Sequence, residues 1–170
     1  MPIEQQLLPL TPRVETVSGA WSTNLFDDKA TLSATQDAQG VHVTTSGALK
    51  NQAGTSNGVS FEWRYDFGPD SYTKQLEVSE GKGLRIVEPF VDDTGNQYEI
   101  VGTDTFVITT QAGSEYTLKI ESSSAPYTLT AGADKARFWS PFPGLDCYPV
   151  TITLSDAADY SIKYKVSQTK

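Results

Sequence analysis

Apolar and polar residues alternate with a period of two along most of the chain. In VSFEWRYDF, Val59, Phe61, Trp63, Tyr65 and Phe67 fall on one side of an extended segment and Ser60, Glu62, Arg64 and Asp66 on the other. This is the pattern of a strand buried on one face. The same alternation groups Leu76 with Val78, Leu84 with Ile86, Tyr98 with Ile100, Phe106 with Ile108, and Tyr116 with Leu118 and Ile120. Further on it groups Val150, Ile152 and Leu154, then Tyr160, Ile162, Tyr164 and Val166. Segments with helical spacing are short and broken by Gly, Pro, Ser or Thr.

Turn-forming residues separate these runs: GPDS from Gly68 to Ser71, EGKG from Glu80 to Gly83, DDTGN from Asp92 to Asn96, QAGS from Gln111 to Ser114, and SDAAD from Ser155 to Asp159. Strands recurring every ten to twelve residues or so, with hairpin-sized turns between them, predict an all-β fold. The expected form is a single antiparallel β-sandwich, jelly-roll or immunoglobulin-like, of about nine to eleven strands. Pro69 and Pro89 belong at strand ends or edges, where a missing N–H breaks no ladder. Two segments, Phe106 to Ile120 and Val150 to Tyr164, share one pattern with Tyr116 and Tyr160 at the same offset. Each is read as a hairpin whose tyrosine is pinned through its hydroxyl.

The first fifty residues are less regular. Residues 1–17, with Leu7, Leu8 and Leu10, are expected to form an extended arm, and residues 18–170 a single β-sandwich domain. The arm could lie along the body or pair with a second copy, so a homo-oligomer is one expected consequence. Gly47 to Gly58 has the composition of a flexible loop.

Charge narrows the partners. With 13 basic and 21 acidic residues, net −8, no window of the sequence carries the basic cluster that a polyphosphate needs, so nucleic acid is not an expected partner. An anionic membrane surface is disfavoured for the same reason, and no apolar run approaches the roughly 20 residues of a spanning helix. The N-terminal MPIEQQLLPLTPR lacks the basic start and apolar stretch of a secretory signal, which suits either a cytoplasmic protein or an exported one whose signal lies outside this sequence. Cys147 is the lone cysteine, so no internal disulfide or CxxC metal site can form, and an inert buried thiol is expected.

Candidate chemistry is sparse. The single histidine, His42 in VHVTT, points away from Val41 and Val43 and reads as a solvent-facing residue, not a general base. No GxSxG elbow, phosphate loop or zinc ligand set is present. Glycoside cleavage needs only two carboxylates. Glu62 and Asp66 share a face but stand about 13 Å apart along the strand, so any partner would come from a neighbouring strand. Calcium would be sought at Asp27 and Asp28 or at Asp92, Asp93 and Asn96; no cofactor is otherwise expected. The DDTGN turn is explained as well by a hairpin that uses positive φ.

What remains is recognition of sugars, which stack on open aromatic rings and pair their hydroxyls with polar side chains. Trp63 belongs to the core by its alternation, whereas Trp21 and Trp139 do not. The stretch RFWSPFPGLDCYP, Arg137 to Pro149, places Trp139, Phe142 and Tyr148 on a proline-stiffened crossing. These three are the expected contacts, with Trp21, Arg137 and Asp146 as secondary ones. The expected function is therefore lectin-like or carbohydrate-binding-module-like binding of a glycan or glycoconjugate without catalysis. The alternatives are a structural or interaction subunit (adhesin, assembly or toxin type) with a protein partner, using its arm and sheet edges, and a glycan-active enzyme with paired carboxylates.

Overall fold

The computed structural model describes residues 13–17, 20–80, 83–133 and 144–169, and the backbone of 136–138. Thirteen strands lie among them: β1 (Arg13–Thr16), β2 (Thr31–Gln36), β3 (Val41–Lys50), β4 (Ser56–Phe67), β5 (Ser71–Val78), β6 (Leu84–Val91), β7 (Gln97–Val101), β8 (Thr105–Thr109), β9 (Glu115–Ser123), β10 (Tyr127–Ala131), β11 (Ala136–Phe138), β12 (Leu145–Leu154) and β13 (Tyr160–Gln168). They form two antiparallel sheets. The larger has the order β2-β3-β4-β5-β13-β9-β8-β7, and the smaller the order β1-β6-β12-β10, with β11 also paired to β12. The count exceeds the nine to eleven expected because β1, β2 and β11 carry little apolar alternation. They are held by ladder hydrogen bonds at sheet margins instead.

The core lies between the sheets. Phe61, Trp63, Leu76, Val78, Phe106, Leu118 and Ile162 come from the large sheet and Leu84, Ile86, Val150, Ile152 and Leu154 from the small one, all buried in one cluster. Each alternating residue named from the sequence in β4, β5, β9, β12 and β13 is buried or half-buried, except Phe67.

The turns divide in two. GPDS and QAGS close true hairpins, β4–β5 and β8–β9. EGKG, DDTGN and SDAAD instead carry the chain from one sheet to the other, since β5, β7 and β13 belong to the large sheet and β6 and β12 to the small one. Val150 to Tyr164 is therefore not a hairpin. Its Tyr160 is nevertheless buried and pinned: the hydroxyl accepts from the N–H of Gly83 at 2.9 Å and of Ala157 at 3.0 Å, tying the two crossings together. The hydroxyl of Tyr116, its counterpart by spacing, has no hydrogen-bonded partner among the described residues. Pro89 faces Pro149 across the β6–β12 ladder, beyond the end of β1, at a position where neither strand needs an N–H. The expected loop from Gly47 to Gly58 shrinks to a five-residue reversal, because β3 runs to Lys50 and β4 starts at Ser56.

Thr23 stitches the sheets at one margin. It exchanges N–H···O bonds with Lys50 of β3 at 2.8 and 2.9 Å and also bridges Glu15 of β1. The large sheet is wider than the small one. Register places Leu32 beside Thr45 and Thr45 beside Trp63, on the core-facing side, yet Leu32 is 72% exposed. The inner face of β2, the start of β3 and the end of β4 thus project past the covering sheet. Leu7, Leu8 and Leu10, and with them the arm as a contact between copies, lie outside the described residues.

Candidate functional site

The overhang exposes the end of an aromatic ladder. On β4, Trp63 stacks on Tyr65 (ring centroids 5.8 Å apart), Tyr65 on Phe67 (6.0 Å, interplanar angle 1°), and Phe67 meets Tyr72 of β5 at 6.0 Å. Exposure rises along the ladder from 1% at Trp63 to 41% at Phe67. Strand alternation puts all these rings on one side: Trp63 is buried, Tyr65 and Tyr72 are half-buried against the core, and Phe67 is exposed. Beyond Phe67 the GPDS turn, Tyr116 and the end of β13 enclose an open cleft of about 260 Å³. Its floor is aromatic and its rim, with Asp70, Ser71, Ser167 and Gln168, is polar. Gly40 lets β3 approach this end: its φ is +147°, and a Cβ there would lie 1.9 Å from the carbonyl oxygen of Phe67.

Under the ladder lies a buried ionic cluster. Lys74 of β5 donates to both carboxylate oxygens of Glu88 of β6, each at 2.7 Å. The hydroxyls of Tyr72 and Tyr164 donate to the same carboxylate at 3.1 and 3.0 Å, and the Lys74 ammonium lies 5.5 Å from the Tyr65 ring centre and 5.1 Å from that of Tyr72. Burial, and then the Glu88 charge, push the Tyr65, Tyr72 and Tyr164 hydroxyls far above the usual tyrosine range. They stay protonated, and those of Tyr72 and Tyr164 act as donors. Glu88 is saturated by them and by Lys74, so the cluster fixes the wall of the cleft and offers no proton acceptor to a ligand.

The solvent face of the large sheet is polar and, among the described residues, presents no Phe, Tyr or Trp from its outward strand positions. Glu62 and Glu77 face each other across β4 and β5, and so supply the neighbouring-strand carboxylate pair that the sequence left open. Arg64 binds both, at 2.6 and 3.3 Å. Serines 46, 60, 79, 124 and 161 complete an open groove of about 580 Å³ around them. His42 is outward as expected, with Nδ1 at 2.6 Å from Asp66 and Nε2 at 3.2 Å from Asp37. These bonds to Asp66, then Asp37, raise its pKa above the usual 6.5. Because the folded value is the higher one, its contribution to stability is complete below the unfolded pKa and is lost as pH rises through the folded one. His42→Gln is therefore expected to lower the urea midpoint most at about pH 5 to 6 and to converge with the parent protein above the raised pKa.

The residues proposed from sequence are dispersed. Tyr148 faces the core from β12, stacked on Tyr98 at 3.8 Å, and acts as packing between the sheets. Trp21 is 39% exposed and meets Phe26 edge-on at 5.7 Å. Asp146 is half-buried beside Arg137 in the β11–β12 register, and its carbonyl accepts from the N–H of Asp92 at 2.7 Å. The Arg137 side chain, Trp139 and Phe142 lie outside the described residues. Burial pushes the Cys147 thiol up to about 11, which suits an inert residue. Of the calcium candidates, Asp27 and Asp28 are both taken by the Lys50 ammonium, at 2.8 and 2.9 Å, and Asp27 also accepts from the Ala48 N–H. Among the described residues no three His, Cys, Asp or Glu side chains gather as a metal site.

A two-layer antiparallel β-domain of this kind recurs in polysaccharide lyases. A heparinase III gene product superposes with a TM-score of 0.61 at 10% identity, covering 83% of this chain and 22% of that one. The heparan sulfate lyase HepC from Pedobacter heparinus superposes with a TM-score of 0.59 at 9% identity, covering 82% of this chain and 22% of its own. The chain thus spans about a fifth of the length of these lyases. No curated protein matches it. Over residues 1–168 it matches the family described as ulvan lyase C-terminal domain, and it belongs to that family.

Proposed function

We propose that this domain is a non-catalytic glycan-binding part of a polysaccharide lyase, and that it seats sugar rings against Phe67 and Tyr72 at the open end of the aromatic ladder. One observation carries the reading: Phe67 is left 41% exposed at the end of an otherwise buried aromatic row. A ring held flat by its neighbours is a preorganised platform for the apolar face of a sugar, and the Asp70, Ser71 and Gln168 rim supplies polar partners for hydroxyls. The family and the heparan sulfate lyase named above supply the ligand class. Trp21, and separately Trp139 and Phe142, remain further contact candidates in this proposal.

Binding fits the geometry better than catalysis, because Arg64 holds both carboxylates of the Glu62–Glu77 pair in ion pairs. Phe67→Ala is expected to weaken retention on immobilised ulvan or heparan sulfate about tenfold, close to 1.4 kcal/mol, with the melting temperature nearly unchanged. Full retention by that variant, with loss in Trp21→Ala, would move the site to Trp21. No depolymerisation of these polysaccharides is expected; chain shortening that Glu62→Gln or Glu77→Gln stops would establish an enzyme instead.

A further inference from the structure

We propose that the solvent face of β9 and β13 is a second binding position, which takes the anionic groups of an acidic polysaccharide on Lys119 and Lys165. Register sets these two lysines directly opposite one another on that face, and strand alternation points both away from the core. Directly opposed like charges destabilise a ladder. Elsewhere on this face the cations are neutralised: Arg64 by Glu62 and Glu77, and Lys163 by Glu121 at 2.9 Å. Lys119 and Lys165 have no ion pair among the described residues.

Hydroxyls frame the pair. Thr73 of β5 is the register neighbour of Lys165, and Ser167 faces Thr117 one step along the same two strands. On the other side the row closes, because Thr105 gives its hydroxyl to Asp104 at 2.7 Å. With strands about 4.8 Å apart, the open row from Thr73 to Lys119 spans about 10 Å. A carboxylate or sulfate bridging the two ammoniums would replace their mutual repulsion with two charge-assisted hydrogen bonds.

The surroundings select the polymer. Glu77 lies on the same face of the adjacent strand β5, with Glu62 one strand further on, so the basic patch is narrow and bordered by negative charge. Nucleic acid is a poor fit, because its affinity grows with the number of phosphates neutralised and its bases need aromatic platforms, of which this face has none among the described residues. An acidic polysaccharide, whose anionic groups lie along a sugar backbone with no bases to stack, is the better fit. The inference rests on the glycan-binding reading above but uses the opposite face from Phe67.

The test compares the parent protein, the double variant Lys119→Gln/Lys165→Gln, and Phe67→Ala by affinity electrophoresis through heparin, polygalacturonate and neutral dextran. The double variant is expected to lose at least tenfold in apparent affinity for heparin at low salt, and its salt dependence to flatten by about 1 to 2 in log–log slope. Loss with polygalacturonate too would show that carboxylates suffice, and loss with heparin alone would restrict the position to sulfates. Both lysines are outward, so the melting temperature should hold or rise as repulsion is relieved. Unchanged binding of both acidic polymers by the double variant overturns the proposal. In that event a loss confined to Phe67→Ala would leave the aromatic site standing, whereas acidic binding lost only in the lysine variant would sustain this position and remove the aromatic one.

Discussion

Glu88→Ala is expected to destabilise the domain by about 3–5 kcal/mol, read from urea unfolding. The carboxylate lies between the sheets, and its removal leaves the buried Lys74 ammonium uncompensated and the hydroxyls of Tyr72 and Tyr164 without their acceptor. Lys74→Ala should cost a similar amount from the other side of the pair. The joint replacement Lys74→Met/Glu88→Leu should recover most of the loss, because a buried ion pair is worth little more than well-packed apolar groups of the same volume, while a broken one is costly. A single variant within about 1 kcal/mol of the parent would mean that water reaches Lys74 and that the cluster is not sealed. The pair has a second effect on the site. Tyr72, one wall of the proposed cleft, is held by its bond to Glu88, so Glu88→Ala should also weaken glycan retention even at temperatures where the domain remains folded.

Trp63→Ala should cost about 3–5 kcal/mol, the usual penalty for removing a large aromatic side chain from a core. Trp63 packs against Tyr65 and, edge-on at 6.4 Å, against Tyr164, so the void would open beside the Lys74–Glu88 cluster. Trp63→Phe should be far milder. The indole Nε1 is buried without a hydrogen-bond partner among the described residues, and phenylalanine removes that unsatisfied donor while keeping most of the ring volume. Denaturant midpoints of the two variants check this, and equal losses in both would point to an unseen partner for the indole N–H.

Period-two alternation was a sound guide wherever a strand buries one face, as in β4, β9 and β13. It failed where burial does not distinguish the faces. TLSATQ forms β2, exposed on both sides, and its ladder to β3 is invisible to any count of apolar residues. The turn residues mark every one of these reversals, and GPDS and QAGS do close hairpins, but the destinations of EGKG, DDTGN and SDAAD are not legible, since a five-residue connection such as SDAAD can close a hairpin or cross a sandwich with the same residues. The candidate site shows the same limit. The ring of Phe67 belongs to the strongest alternating run, and the run itself does not tell that the covering sheet stops short of it. Tyr148, which sits in an aromatic stretch of the sequence, stacks inside on Tyr98 and packs against Phe106. The facing of Lys119 and Lys165 depends on a ladder between strands more than forty residues apart, which no window of sequence contains.

That ladder has a bearing on how the protein is made. β13 lies between β5 and β9 in the middle of the large sheet, so until residues 160–168 have been synthesised that sheet can exist only as two separate halves, β2–β5 and β7–β9, each with a raw inner edge. The domain cannot mature progressively from its N-terminus. Its decisive event is the threading of one late strand between two earlier ones, a long-range closure of the kind that makes folding slow and leaves nascent chains exposed to mispairing until it is complete.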